Sequence, residues 1–272
     1  MHSIQLKNIG LQYKQQVVLN DINLEINSGD FICLLGPSGS GKSSLLRLIS
    51  GLAKPSTGAV YIDDREVFGP GLDRGVVFQE YSLFPWMSVG ENILLGLEQA
   101  FPERKKSELN ELAIEFLNLV ELRGVYDKMP SQLSGGMRQR AAIARSFAMD
   151  PPILLMDEPF GALDAVTRAH LQDLVSVLWQ QREDKRKTIV FVTHDVDEAL
   201  LLANKIVVLS LNPGTVKEIV EVDFFKRQQT RENLYKNSEF IDLRTKLVSL
   251  LNDQIVRELN VGQIVQTQGS HI

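Results

Sequence analysis

The segment that most constrains the fold is a glycine-rich loop at residues 36–43, which reads GPSGSGKS. It follows a continuous apolar run from Phe31 to Leu35 and precedes a helical pattern from Lys42 to about Ser50. Glycines let the backbone curl so that successive N–H groups point into one concavity, to which the following helix adds its positive end. A Gly-Ser turn that arises by chance does not require these flanks. The loop therefore predicts a phosphate-binding turn between a buried strand and a helix.

The side chains of this loop are also suited to a nucleotide phosphate chain. We expect the Lys42 ammonium to reach the β and γ phosphates. The Ser43 hydroxyl is expected to ligate magnesium, a hard ion that takes oxygen ligands. The candidate nucleotide-binding residues of the loop are Gly36, Pro37, Ser38, Gly39, Ser40, Gly41, Lys42, Ser43 and Ser44.

Other hydrophobic patterns indicate how the rest of the chain is organised. Residues 153–156, 188–193 and 206–209 are largely apolar runs separated by helical patterns, which is typical of parallel strands buried on both faces. The first 30 residues alternate apolar and polar side chains, as antiparallel strands do. Between about residues 86 and 150, apolar positions recur at helical spacing. The predicted fold is α/β, with a parallel sheet core, an N-terminal antiparallel β subdomain and an inserted α-helical subdomain.

The chain after residue 215 is predicted to form a tail. A turn at Asn212-Pro213-Gly214 precedes it, and apolar residues recur at helical spacing from Phe240 to Leu259. We therefore divide the chain into a main domain, residues 1–215, and a mostly helical tail, residues 216–272. The tail can be a helix packed on its own domain, or a docking or regulatory appendage.

Two carboxylates and a histidine follow the predicted strands. Asp157 and Glu158 come directly after residues 153–156, and His194 follows residues 188–193. Because ligands gather at the carboxyl ends of parallel strands, these side chains are expected to lie beside the phosphate loop. Asp157 is the candidate magnesium ligand, and Glu158 the candidate group that polarises an attacking water. Taken singly, such residues are ordinary at strand ends, so the assignment depends on the whole set.

Charge and hydropathy exclude several classes of function. The formal net charge is −5, so no bulk positive field exists to attract nucleic acid, and we expect no nucleic-acid partner. No run approaches the roughly 18 apolar residues of a membrane span, and the N-terminus does not resemble a signal peptide. The single cysteine, Cys33, lies in an apolar run and is expected to be a buried hydrophobe in a reducing compartment. We expect a cytoplasmic protein that reaches a membrane only through partners.

A second glycine motif, LSGGMRQR at residues 133–140, opens a helical pattern that runs to about Met149. Ser134 is a good N-cap residue, and the two glycines expose backbone N–H groups that can bind a second anion. In order and spacing, the phosphate loop, Gln79, this motif, Asp-Glu-Pro at residues 157–159 and His194 resemble the nucleotide-binding subunit of an ABC transporter, which has a RecA-like P-loop NTPase core. The resemblance covers residues 1 to about 215.

The resemblance implies further roles. Two ATP molecules, each with Mg²⁺, are implied to lie head to tail between two ATPase subunits, in a homodimer or a pseudo-dimer. The implied catalytic residues are Glu158, His194 and Gln79. The implied metal ligands are Ser43, Gln79 and Asp157. The signature residues, implied to contact the ATP of the partner protomer, are Ser134, Gly135, Gly136 and Gln139.

Two more residues match positions of the same family. Tyr13, at the end of the first strand region, matches the aromatic residue that stacks on adenine, although a tyrosine on a strand surface needs no such role. Asp164 matches the loop that crosses the dimer interface.

A narrower resemblance concerns residues 75–86 and 157–168, which are similar to the importer subgroup for nitrate, sulfonates and taurine. The tail departs from that subgroup, because residues 224–228 read FFKRQ where a Pro-Arg pair is frequent. Phe84 and Trp86 are implied to help form a groove for a cytoplasmic helix of an integral membrane permease subunit, although they can also be plain core. The implied function is an ATP-hydrolysing subunit at the cytoplasmic face of a bacterial-type inner membrane. It energises uptake of a small anionic solute that a separate binding protein delivers.

Two other classes of protein share the phosphate loop. A soluble ABC-type ATPase that acts on DNA or ribosomes is expected to carry a long coiled coil or two cassettes, whereas this chain has one cassette with Lys42 and Ser134 only 92 residues apart. A P-loop kinase has no use for a signature helix. The transported solute cannot be named from these residues, since other chains select it.

Overall fold

The computed structural model describes residues 2–79, 82–180, 186–224 and 231–252. Its strands are β1 (Ile4–Tyr13), β2 (Gln16–Ile26), β3 (Phe31–Leu35), β4 (Thr57–Ile62), β5 (Arg65–Glu66), β6 (Arg74–Val77), β7 (Ile153–Asp157), β8 (Thr188–Thr193), β9 (Lys205–Leu209) and β10 (Val216–Glu221). Its helices are α1 (Lys42–Ser50), α2 (Val89–Ala100), α3 (Lys106–Leu119), α4 (Gly135–Ala148), α5 (Ala165–Gln180), α6 (Val196–Leu202) and α7 (Arg231–Tyr235). Residues 238–252 are also helical.

The larger sheet has six strands in the order β10-β9-β3-β8-β7-β6. All pairs from β9 to β6 are parallel, and β10 runs antiparallel to β9. Every residue of β3, β7 and β8 is buried, as expected for strands covered on both faces. The predicted run at residues 153–156 is a strand that also includes Asp157. The predicted α/β fold is confirmed.

The smaller sheet is antiparallel, with the order β2-β1-β4-β5. Its apolar side chains form one core cluster with α1 and with one face of the larger sheet. The opposite face of the larger sheet packs against α2 to α6 and against apolar residues of the tail. The phosphate loop thus lies between two sheets, because α1, which follows it, is packed between them.

The helices α2, α3 and α4 lie between β6 and β7 in the chain and pack on one another. Residues at helical spacing form the buried face of α3, as the sequence pattern predicts. Ser88 and Glu91 form a capping box at the start of α2. At the start of α4, Ser134 Oγ accepts the N–H of Met137 at 3.3 Å, so Ser134 is the N-cap that its position predicts.

The chain after residue 215 first adds the strand β10 to the larger sheet. The division at residue 215 falls in the β9–β10 hairpin and stays a prediction. In the helical residues 238–252, Phe240 is fully buried and its ring centroid lies 5.2 Å from that of Phe224. The predicted helical positions Ile255 and Leu259 lie outside the described residues. Across the described ranges, no helix combines the length and the apolarity needed to span a bilayer.

Gly51 ends α1 and provides a test of how tightly this helix is held. Its φ is +77°, and a Cβ added there would lie 2.2 Å from the carbonyl oxygen of Gly69. Gly124 has a similar φ of +70° but no atom within 4 Å of an added Cβ. We expect Gly124→Ala to cost about 1–2 kcal/mol of unfolding free energy, from backbone strain alone. Gly51→Ala is expected to cost clearly more, because backbone atoms must also move; urea unfolding measures both, and equal losses would contradict the clash.

Candidate functional site

The phosphate loop connects β3 to α1 in a tightly curled conformation. Gly39 and Gly41 have φ values of +86° and +87°, a region that favours glycine, and Gly41 is the N-cap of α1. Ser40, within the loop, is fully buried. The backbone of the loop therefore ends at the N-terminus of a helix, which is the arrangement that binds phosphate.

The Lys42 side chain folds back over the loop. Its Nζ donates to the carbonyl oxygens of Gly36 and Pro37, at 2.8 Å each, and only 6% of the residue is exposed. Burial lowers the pKa of the Lys42 ammonium, and the carboxylates of Glu158 and Asp157 oppose that shift. The ammonium is thus held at the loop by hydrogen bonds and by nearby negative charge.

Ser43 and Asp157 join the loop to the end of β7. The Ser43 hydroxyl donates to Asp157 Oδ1 at 2.9 Å, across a sequence separation of 114 residues. Burial raises the pKa of the Asp157 carboxyl, and the hydrogen bond from Ser43 opposes that rise. Burial alone favours the protonated form of the Asp157 carboxyl. A cation bound at these oxygens would favour the ionised form, because opposite charges attract.

The chemistry of these donors fits magnesium. Hydroxyl and carboxylate oxygens are hard ligands, and Mg²⁺ is usually held by one or two carboxylates together with substrate phosphates and water. Among the described residues, no group of three or more His, Cys, Asp and Glu could hold a metal by itself. Ser43 and Asp157 would leave coordination positions of a magnesium ion for phosphate oxygens and water.

Three predicted catalytic residues meet at the ends of β6, β7 and β8. The Glu158 carboxylate has Gln79 Nε2 at 3.5 Å from Oε2 and His194 Nδ1 at 3.3 Å from Oε1. Glu158 has a φ of +45°, which is uncommon for a residue other than glycine, and its N–H donates to the carbonyl of Val192 at 3.0 Å. Such backbone strain costs about 1–3 kcal/mol and clusters at functional sites. The pairing of β7 with β8 holds Glu158 in this conformation.

One cavity of about 850 Å³ joins these groups. The predicted residues that line it are Gly36, Pro37, Ser38, Gly39, Gly41, Lys42, Ser43, Ser44, Gln79, Glu158 and His194. It is also lined by Val18, Leu211, Leu251 and Asn252, which were not predicted. Leu251 and Asn252 belong to the tail, and no sequence motif marks them. Tyr13 ends β1 with half of its surface exposed and does not line this cavity.

The signature residues lie elsewhere. Ser134, Gly135 and Gly136 are at the start of α4 and do not line the cavity of their own phosphate loop. Gln139 is buried, and its Nε2 donates to the carbonyl of Phe78 at 3.4 Å. The expectation that Gln139 contacts a partner's ATP does not fit this position, because its amide is packed inside its own chain.

The loop before α5 presents polar groups to solvent. Asp164 accepts the N–H of Thr167 at 3.0 Å, and hydrogen bonds from Thr167 lower the pKa of the Asp164 carboxyl. Asp164 is itself exposed, and Val166, in the first turn of α5, is 81% exposed. The predicted interface loop is therefore both ordered and accessible.

Phe84 and Trp86 form an exposed aromatic pair in front of α2. Their ring centroids are 5.3 Å apart, and 71% of Trp86 is exposed, so Trp86 is not core. Asn92 is buried and fixes the segment, because it accepts the N–H of Phe84 at 2.7 Å and donates to the Phe84 carbonyl at 3.1 Å. Arg145 of α4 donates to the Ser82 carbonyl at 2.6 Å. The aromatic pair is thus held rigidly by the helical insertion.

Comparison with known proteins places this site in a family. The profile described as ABC transporter matches residues 19–161. The chain is 48% identical over 242 residues to the uncharacterised ABC transporter ATP-binding protein MJ0412 of Methanocaldococcus jannaschii, covering 89% of this chain and 86% of that protein. It is 44% identical over 236 residues to the nitrate import ATP-binding protein NrtD of Synechococcus elongatus, covering 86% and 85% respectively.

A solved structure agrees with these sequence matches. The dimeric post-hydrolysis structure of the ATP-binding cassette MJ0796, bound to ADP and Pi, superposes with a TM-score of 0.73 and 35% identity. The match covers 81% of this chain and 99% of that chain. The chain therefore belongs to the ABC transporter family, as an ATP-binding and ATP-hydrolysing subunit.

Proposed function

We propose that this chain is the ATPase subunit of an importer and that it energises uptake of a small anionic solute through separate membrane subunits. The observation that carries the catalytic part is the convergence of Lys42, Glu158 and His194 on one cavity at the ends of parallel strands. The similarity to a nitrate import ATP-binding protein supports the importer and the class of solute. Nitrate, a sulfonate or a taurine-like molecule fits this class.

Each residue of the cavity has a defined task in this proposal. The backbone N–H groups of the phosphate loop and the Lys42 ammonium bind the phosphates of ATP. Ser43 and Asp157, with Gln79 nearby, would hold Mg²⁺, which would supply charge neutralisation at the phosphate oxygens when bound. Glu158 polarises the attacking water, and Gln79 and His194 lie within 3.5 Å of its carboxylate to orient that water and the γ phosphate. Tyr13 stacks on the adenine from outside the described cavity.

A second ATPase subunit completes the site. Ser134, Gly135 and Gly136 form an anion-binding helix N-terminus that stays outside the cavity of its own chain. In a head-to-tail dimer or pseudo-dimer these residues contact the ATP of the partner, and Asp164 lies in the interface loop. The dimeric structure of the similar cassette MJ0796 supports this arrangement.

The membrane partner docks on the aromatic pair. Phe84 and Trp86 offer exposed aromatic area on a segment that is already rigid, so little conformational entropy is lost when a permease helix binds there. This contact places the subunit at the cytoplasmic face of the membrane. A solute-binding protein acts on it only indirectly, through the permease.

The phosphate loop is tested by Lys42→Ala. We expect ATP affinity to fall about tenfold to a hundredfold, because a charged hydrogen-bond donor to the phosphates is lost. Lys54→Ala, which removes an exposed lysine, is the matched control and should bind ATP as the wild type does. Isothermal titration calorimetry measures both; unchanged affinity in Lys42→Ala would contradict the assignment.

Glu158→Gln tests the hydrolytic mechanism. The amide cannot polarise water as a carboxylate does, so we expect kcat to fall by about 10²–10⁴ while ATP still binds. The ATP-bound variant is expected to accumulate as a dimer, which size-exclusion chromatography with light scattering detects. A monomer in the presence of saturating ATP and Mg²⁺ would count against the sandwich.

Trp86→Ala tests the docking segment and the importer. We expect ATP binding by the isolated subunit to be unchanged and affinity for the permease to fall about 30-fold, as for a central interface aromatic. Ile219→Ala, an exposed apolar truncation on β10, is the control.

In the reconstituted transporter, a small anion with its binding protein should raise ATPase activity. No stimulation by nitrate, sulfonate or taurine would contradict the proposed solute class.

A further inference from the structure

The turn that carries His194 is held by a buried carboxylate. Glu198 of α6 accepts the hydroxyl hydrogen of Thr193 at 2.7 Å, and the same Thr193 oxygen accepts the N–H of Asp195 at 3.0 Å. His194 lies between these two anchored residues. Thr193 and Glu198 are both buried, so water competes little for their hydrogen bonds. The backbone that positions the His194 ring is therefore fixed from inside the domain.

A second helix holds Glu198 in place. Gln172 of α5 is buried and donates from Nε2 to the other carboxylate oxygen of Glu198 at 2.9 Å. Its Oε1 accepts from Arg231 Nη1 at 2.8 Å. The guanidinium thus selects the orientation of the Gln172 amide, because the flipped amide would face the carboxylate with its oxygen and the cation with its NH₂.

Arg231 belongs to the tail and is itself firmly held. Its Nη2 donates to Asp173 Oδ1 at 2.6 Å and to the Ala169 carbonyl at 2.9 Å, both on α5. Hydrogen bonds therefore run without a break from Arg231 through Gln172, Glu198 and Thr193 to the residues beside His194. We call these four residues the positioning network.

Independent contacts bring the tail to the same place. Arg244, in the helical residues 238–252, donates from Nε to Asp197 Oδ1 at 2.6 Å, in the first turn of α6. The end of that helix, at Leu251 and Asn252, lines the cavity that contains His194. The tail thus contacts both the helix after His194 and the cavity in front of it.

We propose that Arg231, Gln172 and Glu198 are positioning residues that hold the His194 turn, so that the tail sets the geometry of ATP hydrolysis. This rests on the proposed function, in which His194 orients the γ phosphate. None of the three residues lines the nucleotide cavity; they act through Thr193 and the backbone of His194. The tail therefore influences hydrolysis through the position of His194.

The main experiment compares Arg231→Ala with Lys236→Ala in the full chain. Lys236 directly follows α7, and its ion pair with Glu232 is exposed, so its removal changes the charge equally without touching the network. For Arg231→Ala we expect kcat to fall about threefold to tenfold, with the KM for ATP changed by less than about twofold. NMR with labelled histidine should show a shifted or broadened His194 resonance, assigned with His194→Gln among the four histidines.

Unchanged kcat and an unchanged His194 resonance in Arg231→Ala would overturn the proposal. Equal changes in Lys236→Ala would also overturn it, since they would reflect general charge. A wild-type chain that does not hydrolyse ATP would contradict the proposed function instead, whereas the NMR comparison would still test the network.

A second pair of variants guards against a folding defect in Arg231→Ala. Thr193→Val has nearly the same shape but lacks the hydroxyl, and should lower kcat and move the His194 resonance. Thr193→Ser restores the hydroxyl and should recover most of the lost kcat. If serine and valine give the same kcat and the same resonance, the hydroxyl does not position His194 and the network is refuted.

Discussion

The parallel pairing of β6, β7, β8 and β3 is the constraint on which the site depends. Backbone hydrogen bonds set Val77 beside Met156, Asp157 beside Val192, and Thr193 beside Leu35. Each strand therefore ends at the same edge of the sheet, and Gln79, Glu158, His194 and the phosphate loop, which follow these ends, line one cavity. A shift of register by one residue would move every one of these side chains to the opposite face.

Charged groups are buried at this edge in spite of the cost of desolvation. Burial lowers the pKa of Lys42 and raises the pKa of Asp157 and of Glu198, in each case against the charged form. Hydrogen bonds from Ser43 and Thr193 offset part of that cost for the two carboxylates. In the proposed function, bound phosphate and magnesium would offset more of that cost at Lys42 and Asp157, whereas Glu198 acts through Thr193.

The contacts of the tail show that it packs on the main domain close to the nucleotide cavity. Its sequence suggested an appendage after residue 215, yet β10 joins the larger sheet, Arg231 and Arg244 reach α5 and α6, and Leu251 borders the nucleotide cavity. The tail therefore reaches the surroundings of the site without containing any residue of a known motif. Its contacts with α5, α6 and the cavity are long-range, which is why helical spacing alone could not locate them.

Local patterns determined much of this protein. Apolar runs in the sequence predicted the buried strands, and so also the acids and the histidine that follow them. The backbone freedom of glycine predicted the phosphate-binding turn at residues 36–43. Both properties act over a few residues. Tertiary structure alone decided the burial of Gln139, the exposure of Trp86 and the chain of hydrogen bonds from Arg231 to Thr193. Their physical reason is shared: each depends on which distant element packs against a side chain, and no spacing within a segment encodes that.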